Sequence, residues 1–229
     1  MKRRSLVLAA LGLAGIVLNP VPGLARSPLQ DAVQAAAPVP ATRVALETTA
    51  GTILIETDPR APVTSANFLR YVDERRFDGT TFYRGMVLGP DAGVVQGGTG
   101  NAPDRVLAPI PHEPTSRTGL SHTDGVLSMA RFDPGTATGD FFIIVGNLSS
   151  LDAGRATPDD PGFAAFGRVI AGMDVVRQIL VAPKSPTEGE GFMRGQMLEA
   201  RVRIVSARRV GAASHDSDRE MRRSSVTGA

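Results

Sequence analysis

Residues 79–98, GTTFYRGMVLGPDAGVVQGG, open like a strand. Thr80, Thr81, Phe82 and Tyr83 are β-branched or aromatic, the composition a pleated, half-buried surface favours. One charged residue, Arg84, follows amid mostly apolar neighbours, and a glycine-rich detour returns the chain to Gln96-Gly97-Gly98. Period-2 alternation places Phe82 and Arg84 on one face. A guanidinium beside a phenyl ring suits a ligand that is part apolar and part polar. The plainer alternative is a strand arginine reaching out to solvent.

The sequence on either side builds more strands than helices. Residues 43–49 and 52–57 read as a hairpin around Ala50-Gly51, with Ile53 and Ile55 on a common face. Asp58-Pro59-Arg60-Ala61-Pro62 is a turn. A helix is expected over 63–74, started by Pro62 and carrying Ala66, Leu69 and Val72 at helical spacing, with Phe68 widening that face. Residues 101–124 are a long polar connection rich in glycine and proline. Further strands are expected over 125–130, 140–146, 163–170 and 197–207, and a second helix over 173–180 with Met173, Val176 and Leu180 inward. About eight strands and two helices without repeated βαβ units argue for an antiparallel sheet. The expected fold is mainly β: a closed eight-stranded antiparallel barrel capped by two α-helices.

The ends read differently from the centre. Lys2, Arg3 and Arg4 precede an apolar run from Leu6 to Leu18, broken by Asn19, Pro20 and Pro22, with small residues near Ala25. Residues 1–25 are therefore expected to be a signal peptide, and the protein periplasmic. Its apolar run is too short to span a bilayer comfortably, so no stable membrane insertion is expected after cleavage, an uncleaved anchor being the alternative. Arg3-Arg4-Ser5-Leu6-Val7 also fits a minimal twin-arginine pattern. Residues 26–41 read as a flexible tether, 42–210 as the folded domain and 211–229 as a disordered polar tail.

Composition excludes several chemistries. There is no cysteine, hence no disulfide, thiol nucleophile or cysteine–metal site. A formal net charge of +2 with no long basic run gives no reason to expect a nucleic-acid partner. His112-Glu113, His122 and His215 lack metal-ligand spacing, so no metal is expected. No serine sits in a G-x-S-x-G elbow. Gly97-Gly98-Thr99-Gly100 is followed by no lysine-bearing helix, so a phosphate loop is not expected either.

A run of ordered landmarks is more specific. Thr49 to Glu56 (TAGTILIE), Ala61-Pro62-Val63-Thr64 with Asn67-Phe68, Phe82-Tyr83-Arg84, and Gln96-Gly97-Gly98 come first. Gly125 to Ala130 (GVLSMA), Phe141-Phe142-Ile143, Leu151-Asp152 and Phe166-Gly167-Arg168-Val169 follow. In this order and near-family spacing they resemble the cyclophilin family of peptidyl-prolyl cis–trans isomerases, from about residue 44 to 210. The resemblance implies catalysis by Arg84. It also implies a groove formed by Phe82, Val94, Gln96, Ala130, Arg131, Phe132, Asp140, Phe142, Leu151 and Phe163. No cofactor is implied. The partners would be unfolded or proline-containing polypeptides, bound by a monomer. The alternative is a cyclophilin-like module that binds proline peptides with little or no catalysis; a weaker one is a barrel serving only as a scaffold.

The sequence also departs from better-known members. Residues 88–92 lengthen the span between Arg84 and Gln96. Gly93 replaces a pocket phenylalanine, which should remove one wall unless Val87, Leu88 or Val94 fills it. Asp140 stands for a glutamine, Phe163 for a histidine, and Ser150 for the tryptophan that helps hold cyclosporin, so weak cyclosporin binding is expected.

Overall fold

Arg43–Thr48 (β1) and Gly51–Thr57 (β2) fold back on each other, Thr48 opposite Gly51. The computed structural model describes residues 40–211; the expected signal peptide, nearly all of the tether and all but the first residue of the tail lie outside the described residues. Six further strands follow: Thr81–Gly89 (β3), Ala92–Gly98 (β4), Val126–Met129 (β5), Phe141–Val145 (β6), Ala164–Ala171 (β7) and Met197–Val210 (β8). They close into a barrel in the order β1-β2-β7-β5-β6-β4-β3-β8, with every pairing antiparallel. Closure removes the exposed sheet edges that would otherwise invite further strands.

Two longer helices pack on this barrel. Pro62–Asp73 (α1) has proline in its first turn, where a missing N–H is harmless. Its buried face is Thr64, Ser65, Phe68, Leu69, Tyr71 and Val72; Ala66 points outward, against the expected stripe. A polar contact that no hydrophobic period records holds the start of this helix. Buried Glu113 accepts hydrogen bonds from the Thr64 backbone N–H and hydroxyl, both at 2.7 Å, and so caps α1 from the long connection. That connection also carries the one-turn helix Thr115–Thr118 (α2). Met173–Val181 (α3) buries Val175, Val176, Ile179 and Leu180, with Met173 partly buried at the margin.

Aromatic rings fill the interior. Phe68, Phe77, Phe82, Phe141 and Phe166 are fully buried, with centroids 5.2–5.8 Å apart in mostly tilted or edge-on pairs. Phe82 belongs to this core and does not line the groove. The pairing register slips between Phe82 and Arg84 against both β4 and β8. That irregularity breaks the alternation, so the two side chains take opposite faces. Gly97 makes room for the Phe82 ring: a Cβ there would lie 2.6 Å from Phe82 Cδ1.

Candidate active site

A second, smaller apolar cluster lies apart from the barrel interior. Val94, Phe142, Ile144 and Leu148 are buried in it, and Met86, Ala92, Val126, Ala130, Leu151 and Phe163 pack against them. Strand alternation explains the separation. Along β6, Phe141 joins the interior and Phe142 this cluster; along β4, Val95 goes inward while Val94 goes to the cluster. The Phe142 ring meets Phe163 edge-on at 5.4 Å. Part of the cluster floors an open cavity of about 720 Å³. Of the residues the sequence points to, Arg84, Val94, Gln96, Ala130, Arg131, Phe132, Asp140, Phe142, Leu151 and Phe163 all line it; only Phe82 is elsewhere.

Gly93 does not open a gap in this floor. A Cβ on it would lie 2.4 Å from the Met86 carbonyl oxygen and 2.8 Å from Leu180 Cδ1. The position therefore faces α3 and not the groove, and glycine lets α3 approach. Val94 and Met86 supply the wall; Val87 and Leu88 are half exposed and do not line the cavity.

Arg84 is only 8% exposed and sits at the polar edge of that floor. Its Nη1 donates to Gln96 Oε1 at 2.8 Å. Nε and Nη2 donate to Gln196 Oε1 at 2.8 and 2.6 Å, and Nη2 also meets Met86 Sδ at 3.4 Å. Among the described residues no carboxylate pairs with it. Burial lowers its pKa from the usual guanidinium value. Gln96 is itself oriented, because its Nε2 donates to the Tyr83 hydroxyl at 2.8 Å. Burial, with Asp140 nearby, pushes Tyr83 well above the usual phenol range, which keeps it protonated at neutral pH.

Asp140 is nearly buried, and burial raises its carboxyl pKa although the Gly100 N–H donates to Oδ1 at 2.7 Å. Gly98 allows that approach: its φ is +130°, and a Cβ would lie 2.6 Å from Asp140 Oδ1. Arg131 donates to the carbonyls of Phe132 and Gly162, and its guanidinium lies 4.7 Å from the Phe163 ring centroid. It therefore braces one rim of the groove. Phe132 is 80% exposed beside it.

Beneath Phe142 runs a line of polar groups, with His122 and Ser128 buried and Asp152 partly exposed. His122 lies nearly parallel to the Phe142 ring at 6.3 Å. Its Nδ1 is 2.5 Å from Asp152 Oδ1 and its Nε2 2.9 Å from Ser128 Oγ. The triad resembles a hydrolase relay, but Ser128 and His122 are fully buried, so no substrate reaches the hydroxyl. Burial lowers the His122 pKa despite Asp152, leaving a neutral imidazole that bridges β5 to the groove floor. Glu113 caps α1 and His112 bonds the Pro161 carbonyl at 3.0 Å. Among the described residues no cluster of histidines and carboxylates is arranged to hold a metal.

Sequence reasoning did not find Met86, Phe192 or Met193 as groove residues, nor Gln196 as the partner that holds Arg84. Gln196 is 112 positions from Arg84 in the chain, and no local pattern joins them. Phe192, 77% exposed, lies with its ring 5.4 Å from the Arg84 guanidinium carbon.

Residues 43–209 match the family model described as cyclophilin type peptidyl-prolyl cis-trans isomerase/CLD. The chain is 40% identical over 149 residues to a peptidyl-prolyl cis-trans isomerase of Acinetobacter baylyi, covering 63% of this chain and 74% of the relative. It is 42% identical over 142 residues to the isomerase cyp18 of Streptomyces antibioticus, covering 59% and 81%. Peptidyl-prolyl cis-trans isomerase B of Escherichia coli is 36% identical over 141 residues, covering 59% and 82%. The crystal structure of a Cryptosporidium parvum cyclophilin-type isomerase superposes with a TM-score of 0.59 at 18% identity, covering 75% of this chain and 99% of that one; this likeness shows the fold.

Proposed function

The chain belongs to the cyclophilin-type peptidyl-prolyl cis–trans isomerase family, and we propose that Arg84 drives its reaction at the edge of the Phe142 pocket, on exported proteins. The protein is a peptidyl-prolyl isomerase acting on proline-containing peptides. Rotation about an X-Pro bond faces a barrier of about 18–20 kcal/mol, set by amide resonance. No bond to substrate forms, so the site needs neither nucleophile nor acid–base pair. It needs a surface that grips the ring and a donor for the twisted amide.

Phe142, Val94, Met86, Leu151 and Phe163 offer the apolar seat for the proline ring. In the twisted state the proline nitrogen regains a lone pair, which a guanidinium N–H meets far better than the planar amide. That is differential stabilisation of the transition state. The observation carrying this assignment is the company Arg84 keeps: neutral amide oxygens hold it, so its charge remains for the substrate. The binding-module alternative rests on Gly93 together with the insertion before it; of these, Gly93 faces α3 and removes no wall of the groove.

Exchange between cis and trans forms of a short X-Pro peptide, followed by NMR, tests the assignment. The wild-type chain should accelerate exchange, and Arg84→Ala should lose about 10²–10³-fold in kcat/KM while keeping its melting temperature. Normal exchange with Arg84→Ala overturns the role of Arg84.

The exported setting rests on the basic Lys2-Arg3-Arg4 start and the apolar run from Leu6 to Leu18. Slow prolyl isomerisation limits folding, which gives an isomerase outside the cytoplasm clients to act on. We place it there as a monomer. Residues 1–26 fused to a reporter active only outside the cytoplasm should give signal, and a silent fusion would refute export.

A further inference from the structure

A guanidinium has five N–H donors. In Arg84 the Nε–H and one Nη2–H converge on a single oxygen, Gln196 Oε1, at 2.8 and 2.6 Å. One Nη1–H goes to Gln96 at 2.8 Å, and the other Nη2–H faces the weak acceptor Met86 Sδ at 3.4 Å. One Nη1–H is left without a protein acceptor among the described residues. We propose that Gln196 is a positioning residue for the isomerase: its amide oxygen locks the Nε side of Arg84, so that the remaining Nη1 donor is presented to the substrate.

The clamp is itself built. Gln196 Nε2 donates to the Phe192 carbonyl at 2.7 Å, which turns the amide oxygen toward Arg84. The Gln196 carbonyl accepts from the Gly85 N–H at 3.0 Å, tying its backbone to β3 beside the arginine. The Gln196 N–H donates to the Met193 carbonyl at 3.1 Å, closing the turn around Gly195. The next residue, Met197, begins β8 directly opposite Arg84 in the ladder. Glutamine also fits the electrostatics. A carboxylate would hold the same fork more tightly but would neutralise the charge that the twisted amide needs.

The inference rests on the assignment of Arg84 as the reacting donor, and its test has one readout independent of turnover. Gln196→Ala should lower kcat/KM by about tenfold, mainly in kcat, with KM within about twofold. The Arg84 Nε–H, assigned by NMR with Arg84→Lys as reference, should lose its protection from solvent exchange in Gln196→Ala. Gln196→Glu keeps an oxygen on the fork, so the Nε–H should stay protected while kcat still falls. An unchanged Nε–H signal in Gln196→Ala, or kcat/KM within about twofold of wild type, overturns the clamp. Full turnover in Gln196→Glu overturns the need for a neutral acceptor. Were Arg84→Ala to retain activity, the parent assignment would fall, and the Nε–H readout would still judge the contact.

Discussion

Arg84 in the groove and Arg208 near the end of β8 are the same side chain in opposite company. Arg208 places both terminal nitrogens on Asp78, at 2.8 and 2.7 Å, and its neighbour Arg209 grips Asp73 with two bonds of 2.7 Å. These pairs are partly exposed. Asp78 raises the Arg208 pKa, and Arg208 in turn lowers that of Asp78. Arg84 is buried, its pKa pulled down, and its hydrogen-bond acceptors among the described residues are amide oxygens and a thioether. Carboxylate partners consume an arginine's charge locally. Amide partners orient it and leave the charge available. The difference sets Arg84 apart from the ion-paired arginines of β8 and is the basis of its proposed role.

The hardest strain on this comparison is Arg84→Lys. Charge is retained, but a lysine cannot hold both glutamines and still present a rigid donor. The kcat/KM in the peptide exchange assay should fall by at least about tenfold. Near-wild-type turnover would mean that a point charge suffices and that the amide frame is incidental.

Protons separate the two regions next. His122, under the groove floor, is neutral because burial lowers its pKa below the ordinary 6.5. The unfolded chain therefore binds the extra proton first, and the stability tied to a neutral His122 is lost as pH falls below about 6.5. Asp78 is also depressed, so its contribution is present above the ordinary carboxylate value of 3.8 and is lost as pH falls through that range. Thermal melts from neutral to acid pH should show the earlier loss, and His122→Asn should flatten it while lowering the neutral-pH baseline. An unchanged acid slope in that variant would rule out a neutral buried imidazole as its source.

The smallest effect belongs to Arg208→Ala. A partly exposed ion pair contributes little and is screened by salt. The melting temperature should drop slightly, less so at high salt, and kcat/KM should stay within about twofold of wild type. A large catalytic loss would show that the β8 rim is coupled to the groove.

Much of the architecture could be read from local pattern. Alternation in residues 52–57 marks a strand because side-chain direction has period two where one face is buried, and the FFIIV run marks one because it is apolar enough to be buried on both faces. The period-two rule misplaced Phe82, because a register slip interrupts the period at the residue before Arg84. The family resemblance, in turn, read Gly93 as a lost wall. The pocket side of β4 is carried by Val94 and Gln96, and only the packing of Leu180 shows which way residue 93 points. Ala66 fell on the wrong side of α1 because the buried stripe runs through Ser65, Phe68, Leu69 and Val72, which turns position 66 outward.

By itself the sequence determined the barrel and its two longer helices, and its resemblance to the family pointed to Arg84, Gln96 and Phe142 as a set. The first two follow from local periodicity and turn chemistry; the last rests on motifs carried by three strands, β3, β4 and β6. Tertiary structure alone decided that Arg84 is held by Gln196 and shaded by Phe192. It alone joined buried His122 and Ser128 to partly exposed Asp152 beneath the groove floor. Those contacts join residues brought together by barrel closure and by the turn before β8, and the physics that selects them is hydrogen-bond satisfaction across long loops.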